Sequence, residues 1–285
     1  MNEILEKAVK ERRSIHEVTL EFEREQQGKS REEILAEMRK IAHVMTCAAA
    51  KGVSEEITTK SGLVRGSAKK YFSSLRQREN PLTGRIVSKA LAYSLAVAEV
   101  NASMGLVVAA PTAGSCGVLP GALLALNEEV DSSEEKMLNG LLTASGIGLF
   151  IAERATFAAS VAGCAAEIGA SASMAAASIV EFYNGSAEQA INAGAISLKS
   201  CLGLVCDPVA GLVEVPCIKR NAIGVANSFA AAEMALNGVE SAVPFDEVVG
   251  AMYRIGKRIP SELRETSRGG LAMTPTALKV RSRFL

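Results

Sequence analysis

The chain has 285 residues, of which 48% are hydrophobic, 4% aromatic and none tryptophan, with 45 alanines and 24 glycines. That length can bury a full core in one large or two modest domains, and so few bulky residues argue against a sandwich or barrel and for an all-α protein. The 31 basic residues balance the 31 acidic ones, leaving no charge excess to draw the protein to nucleic acid or an anionic membrane.

Charge is uneven along the chain. Residues 1–80 hold 29 charged side chains and residues 101–200 only 12. The first part therefore reads as solvated amphipathic helices, set off as a charged helical arm over 1–29, and the rest (30–285) as a compact multi-helix domain with central small-residue helices. The N-terminal stretch through Arg13 is charged and lacks the apolar run of a secretory signal. A cytoplasmic protein is expected, with its six cysteines as reduced thiols or metal ligands rather than disulfides.

Apolar periodicity predicts helices over about 2–27, 31–51, 83–104, 133–160, 170–183, 187–199, 220–236 and 245–257. Capping-box patterns mark Ser30–Glu33, Ser132–Glu135 and Ser186–Gln189. The small-residue stretch 137–183 reads as a central, closely packed helical pair. Val100–Asn127 is uncharged for 28 residues, but its two prolines and four glycines suit buried core plus a loop better than a membrane span.

Three segments resist a helical reading: Ser61–Gly66, Ala110–Gly117, and Leu202–Gly211 continuing to Cys217. Loops inside a helical core leave backbone amides without helical partners, which makes all three candidate site elements. In the third, Cys206-Asp-Pro is followed by Pro216-Cys217. Thiolates presented beside proline turns suit an iron–sulfur cluster, whose properties depend on hydrogen bonds to sulfur. The same two cysteines also fit small buried hydrophobes. Zinc fits less well, because the two histidines, His16 and His43, lie far away in sequence.

The stretch Leu202–Ala222, with Pro111–Ser115, Gly163–Glu167, Met174–Ala177 and Arg264–Leu271, closely resembles the iron–sulfur-dependent L-serine dehydratases, specifically the α subunit of the two-chain form. The resemblance spans roughly residues 30–278. It implies a lyase of amino-acid degradation that converts L-serine to pyruvate and ammonia, with residues 30–285 as the catalytic domain. It also implies a [4Fe–4S] cluster held by Cys164, Cys206 and Cys217, one iron remaining open to act as a Lewis acid on the serine hydroxyl. Cys47, Cys116 and Cys201 match no ligand position and are expected to be structural.

On that resemblance, Thr112, Gly114 and Ser115 are candidate donors to the substrate carboxylate, with Arg264 and Arg268 as a possible clamp and Lys70 as a weaker contact. Asp207 is expected to orient its loop. No motif supplies an evident general base. His43 is a weak candidate, and the family places a Ser-Ser-His-Thr-type element in its β subunit, so a β partner donating the base in trans is implied. The chain ends at Leu285 without the C-terminal cysteine that single-chain relatives place against the cluster. Three alternatives stand beside this reading: a pyridoxal-phosphate dehydratase, disfavoured by the lack of alternating strands; a cluster-dependent cysteine desulfidase; and a non-catalytic iron–sulfur sensor or assembly subunit, with Cys201 as its fourth ligand.

Overall fold

Hydroxyl caps set most of the helix starts. In the computed structural model, which describes residues 3–130 and 133–283, Ser14, Ser30 and Ser186 each close a reciprocal capping box with the residue three positions on. They open α2 (Ile15–Gln27), α3 (Arg31–Ser54) and α10 (Ala187–Lys199), while α1 (Glu3–Glu11) precedes them. Ser132 lies outside the described residues. Ser133 is the cap of α7 (Glu134–Arg154), accepting from the Lys136 amide. Among the described residues there are thirteen α-helices and no strand, so the all-α expectation holds.

The expected helix over 2–27 is two helices. Arg12 takes φ 54°, and Ser14 with Glu17 forms a capping box that starts a new helix. α1 and α2 carry their ion pairs outward, as Arg13 to Glu21 at 2.7 Å, and bury Leu5, Ile15 and Val18 in the same core as Phe150 and Phe182. His16 meets Glu181 at 2.9 Å, tying α2 to α9 (Ile168–Phe182).

Every residue of α9 except Glu181 is buried. Around it pack α6 (Val118–Glu129), α7, α10 and α11 (Cys217–Leu236), so the expected central pair within 137–183 is α7 against α9. α5 (Gly84–Ala102) lies one layer out, against α3, α4 (Ser67–Leu75), α6 and α11. Alanine and glycine permit the approach: a Cβ on Gly52 of α3 would lie 2.5 Å from the Ala96 carbonyl oxygen of α5.

Val100–Asn127 breaks after Ala102, turns at Met104 with φ 64°, crosses a loop and resumes as α6 at Val118. No single helix among the described residues is long and apolar enough to cross a membrane. α7 stops at Arg154, short of the expected 160, and a separate turn, α8 (Ala159–Ala162), follows. The chain closes with α12 (Phe245–Arg258) and α13 (Pro275–Arg281), the latter capped by Thr274 with proline in its first turn.

Candidate functional site

The three segments that resisted a helical reading are bonded to one another or to shared neighbours. Ser61 donates its amide to Glu214 at 2.9 Å and its hydroxyl to the same buried carboxylate, joining the first segment to the third. Asn221, fully enclosed one turn into α11, donates to the carbonyls of Gly114 at 2.8 Å and Cys217 at 2.9 Å, and its oxygen accepts from the Gly117 amide at 2.8 Å. One side chain thereby satisfies the backbone of the second segment and locks it to the helix opened by Cys217.

Each expected cysteine ligand has its own backbone device. Cys164 follows Gly163, whose φ of 69° and 2.6 Å gap between a built Cβ and the Leu204 carbonyl leave no room for a side chain. Cys206 is paired like a short strand with Arg264: its amide donates to Leu263 O at 2.8 Å, and Glu265 N donates to its carbonyl at 2.7 Å. Cys217 opens α11 directly after Pro216, among amides with no intrahelical partner.

All three thiols are buried, at 2%, 3% and 7% exposure for Cys164, Cys206 and Cys217. The sulfurs of Cys164 and Cys206 and a carboxylate oxygen of Glu167 all lie within 4.8 Å of one another. A hydrogen bond from Cys206 lowers the Cys164 thiol against the opposing effect of burial, and Arg220 adds to the lowering. The same bond holds Cys206 as the protonated partner. Burial, reinforced by charge on Cys164, pushes Cys217 up to about 12. Burial also raises the Glu167 carboxyl, opposed by the Thr112 hydroxyl, which donates to it at 2.6 Å.

Arg220 supplies the positive charge at this group. Its guanidinium donates to Val205 O at 2.7 Å and to Asp207 at 3.0 Å. Asp207 is 4% exposed and also accepts from the Leu271 amide at 2.8 Å, so it orients the cysteine loop against the 261–273 segment. Beside Arg220, a cavity of about 550 Å³ is lined by Cys201, Leu204, Ile223 and Asn227 among others. Cys201 accepts from Asn227 at 3.5 Å, and burial raises its thiol to about 11.

The other expected residues divide. Thr112 and Gly114 sit against Glu167, and the Ser115 hydroxyl is fully buried beside Thr112 at 3.2 Å. Arg264 reaches back to Val161 O at 3.3 Å, and its Nε is buried without a hydrogen-bond partner. Arg268, Lys70 and His43 are exposed and make no hydrogen bond to the cysteine group; His43 sits 3.5 Å from Cys47 on α3. Cys116 is fully enclosed, and burial pushes its thiol up to about 12. Sequence reasoning assigned no role to Glu167, Arg220 or Asn221. Glu167 and Arg220 each stand three residues after an expected ligand cysteine, the spacing that returns a side chain to the same face of a turn.

Buried thiols, one of them lowered by its neighbours, with a carboxylate in reach and a cation at the edge, give this all-α protein a donor set that could bind a metal. A cluster of iron and sulfide fits that set in its chemistry, since thiolates are its usual ligands and metal binding displaces their protons.

Residues 10–272 match the family described as serine dehydratase alpha chain. The chain is 44% identical over 284 residues to a probable L-serine dehydratase alpha chain of Bacillus subtilis, covering 100% of this chain and 94% of that one. It is also 44% identical over 271 residues to the L-serine dehydratase alpha chain of Peptoniphilus asaccharolyticus, covering 95% and 92%. A longer L-serine dehydratase of Helicobacter pylori is 35% identical over 279 residues, which span 95% of this chain and 60% of that protein. The chain belongs to the serine dehydratase alpha chain family.

Proposed function

We propose that this chain is the catalytic α subunit of an iron–sulfur L-serine dehydratase, a lyase that removes water from L-serine and releases pyruvate and ammonia. The observation that carries the reading is the approach of buried Cys164 and Cys206 and half-buried Glu167 within 4.8 Å, with Cys217 close enough for its charge to act on Cys206. Cys164, Cys206 and Cys217 would hold a [4Fe–4S] cluster, which when bound supplies an iron Lewis acid for the poor leaving group, the serine hydroxyl.

The chain's own residues have separable tasks in this reading. Arg220 offsets the negative charge of the thiolates, and Asp207 fixes Arg220 and the cysteine loop together. The turn Thr112–Ser115 faces the same group through Glu167 and would receive the substrate carboxylate, where the small Gly114 permits close approach. The unpartnered Nε of Arg264, whose backbone pairs with Cys206, would be a further donor. Arg268 and Lys70 face solvent, so they would meet substrate only on entry or beneath a partner chain. With His43 exposed on α3, the base for the Cα proton would come from a β subunit, consistent with the "alpha chain" naming of the relatives. All six cysteines are free, in keeping with a reducing cytoplasm.

The test is anaerobic turnover of L-serine by the chain with its partner, followed as pyruvate formed. Serine-dependent pyruvate that disappears on air exposure supports the reading. Sulfide released from cysteine, with no pyruvate from serine, would make the enzyme a desulfidase instead.

A further inference from the structure

Glu167, half-buried, is the one member of the donor group that the serine dehydratase reading leaves without a task. The turn that carries it is wound as a 3-10 helix: Ala166 N donates to Gly163 O and Glu167 N to Cys164 O, each at 3.2 Å. Side chains three residues apart on such a turn eclipse one another. Cys164-Ala-Ala-Glu167 therefore presents a thiol and a carboxylate on the same side, as a two-toothed unit.

Its surroundings keep that carboxylate in place without neutralising it. The Thr112 hydroxyl holds Oε1 at 2.6 Å and leaves Oε2 without a hydrogen bond. Among the described residues no lysine or arginine forms an ion pair with Glu167, and the charge nearest in effect is another carboxylate, Glu265. Gly114 lies opposite, and a Cβ there would stand 2.8 Å from Oε1 and 2.9 Å from Oε2, so the absence of a side chain makes the room. With the Cys164 and Cys206 sulfurs, that carboxylate makes a donor set within 4.8 Å that a multivalent cation would hold together.

We propose that the Glu167 carboxylate is the exchangeable fourth ligand of the cluster, bound at rest to the iron that the three cysteines leave open. This rests on the cofactor assigned above. An oxygen ligand there keeps the site closed to water and oxidants, yet is weaker than thiolate for iron of this kind and can yield to substrate. The Thr112 hydroxyl and Gly114 are then positioning residues, one holding the carboxylate's direction and the other its space.

The experiment compares wild type with Glu167→Gln, each reconstituted anaerobically with iron and sulfide as the full chain. It uses Mössbauer spectroscopy and the rate of conversion to the three-iron form by a mild oxidant. Glu167→Gln should still hold the cluster through its cysteines, show a changed signal for one iron in four, and lose that iron about tenfold faster. Glu167→Asp should restore part of the retention, and Gly114→Ala, which crowds the carboxylate, should reproduce the defect. An unchanged unique-iron signal with an unchanged rate of iron loss in both Glu167→Gln and Gly114→Ala would overturn the proposal. Wild type that takes up no iron would instead overturn the cofactor reading beneath it, so the two failures are distinct.

Discussion

Replacing Arg220 by Met should destabilise the chain even before any cofactor is loaded. The guanidinium, 18% exposed at its side chain, satisfies Val205 O at 2.7 Å and Asp207 at 3.0 Å, and the Asp207 side chain is 5% exposed. Losing the bond to the carbonyl costs about 1 kcal/mol, and losing the charge-assisted bond to the enclosed carboxylate about 1.5–3 kcal/mol. Asp207 keeps its bond from the Leu271 amide, and the arginine is not fully enclosed, so the lower half of the range applies, about 3 kcal/mol in all. For a chain of this size that is a drop in melting temperature of roughly 5 °C. Calorimetry of the cluster-free protein reads it directly, and a cycle with Asp207→Asn isolates the pair. A melting temperature within about 1 °C of wild type, or strict additivity of the two substitutions, would refute the assignment of Arg220 as the cation that organises the cysteine loop.

Asn221→Ala removes three buried hydrogen bonds at once and should cost roughly 2–4 kcal/mol in denaturant unfolding, with faster amide exchange confined at first to residues 110–117. Gly163→Ala forces a side chain onto φ 69° and against the Leu204 carbonyl, which should lower stability by about 1–3 kcal/mol and displace Cys164, read as weaker iron uptake. Glu99, fully enclosed in α5, has a carboxyl raised by burial despite the Ala68 amide at 3.1 Å. A raised carboxyl favours the folded state while protonated, so its contribution is complete below the unfolded value and is lost as pH rises through the folded one. Glu99→Gln should therefore flatten the loss of stability seen on raising pH from about 4.5 in the cluster-free chain, and an unchanged profile would contradict the cause given.

The legible part of the fold was the part governed by local chemistry. Ser30 and Ser186, followed by Glu33 and Gln189, announced their helices because a capping box is written within four residues. The same signal at Ser14–Glu17 was available and marks the break between α1 and α2. α6 was harder to delimit because it is buried from Val118 through Leu126, so it has no polar face to give a period. α4 and α13 are short, and their positions depend on neighbours more than on their own pattern.

At the site, the interruptions of the helical pattern were readable, and the segments so marked are those linked by Ser61–Glu214 and Asn221–Gly114. Which cysteines meet was not readable from spacing, because Cys164 and Cys206 are brought together by a turn before α9 and a two-residue pairing with the 263–265 strand-like segment. Glu167 and Arg220 went unassigned for the same reason. Their importance comes from what they face across the fold, not from their neighbours in sequence.

In the proposed enzyme Cys164, Cys206 and Cys217 together hold a four-iron cluster. The most direct measurement is iron and sulfide content, with the visible absorption spectrum, of the anaerobically reconstituted chain and its single cysteine-to-alanine variants. About four irons per chain and a broad brown chromophore are expected, lost on replacing Cys164, Cys206 or Cys217 and retained in Cys201→Ala. Iron that survives all three ligand replacements, or vanishes in Cys201→Ala while surviving in Cys217→Ala, would contradict it.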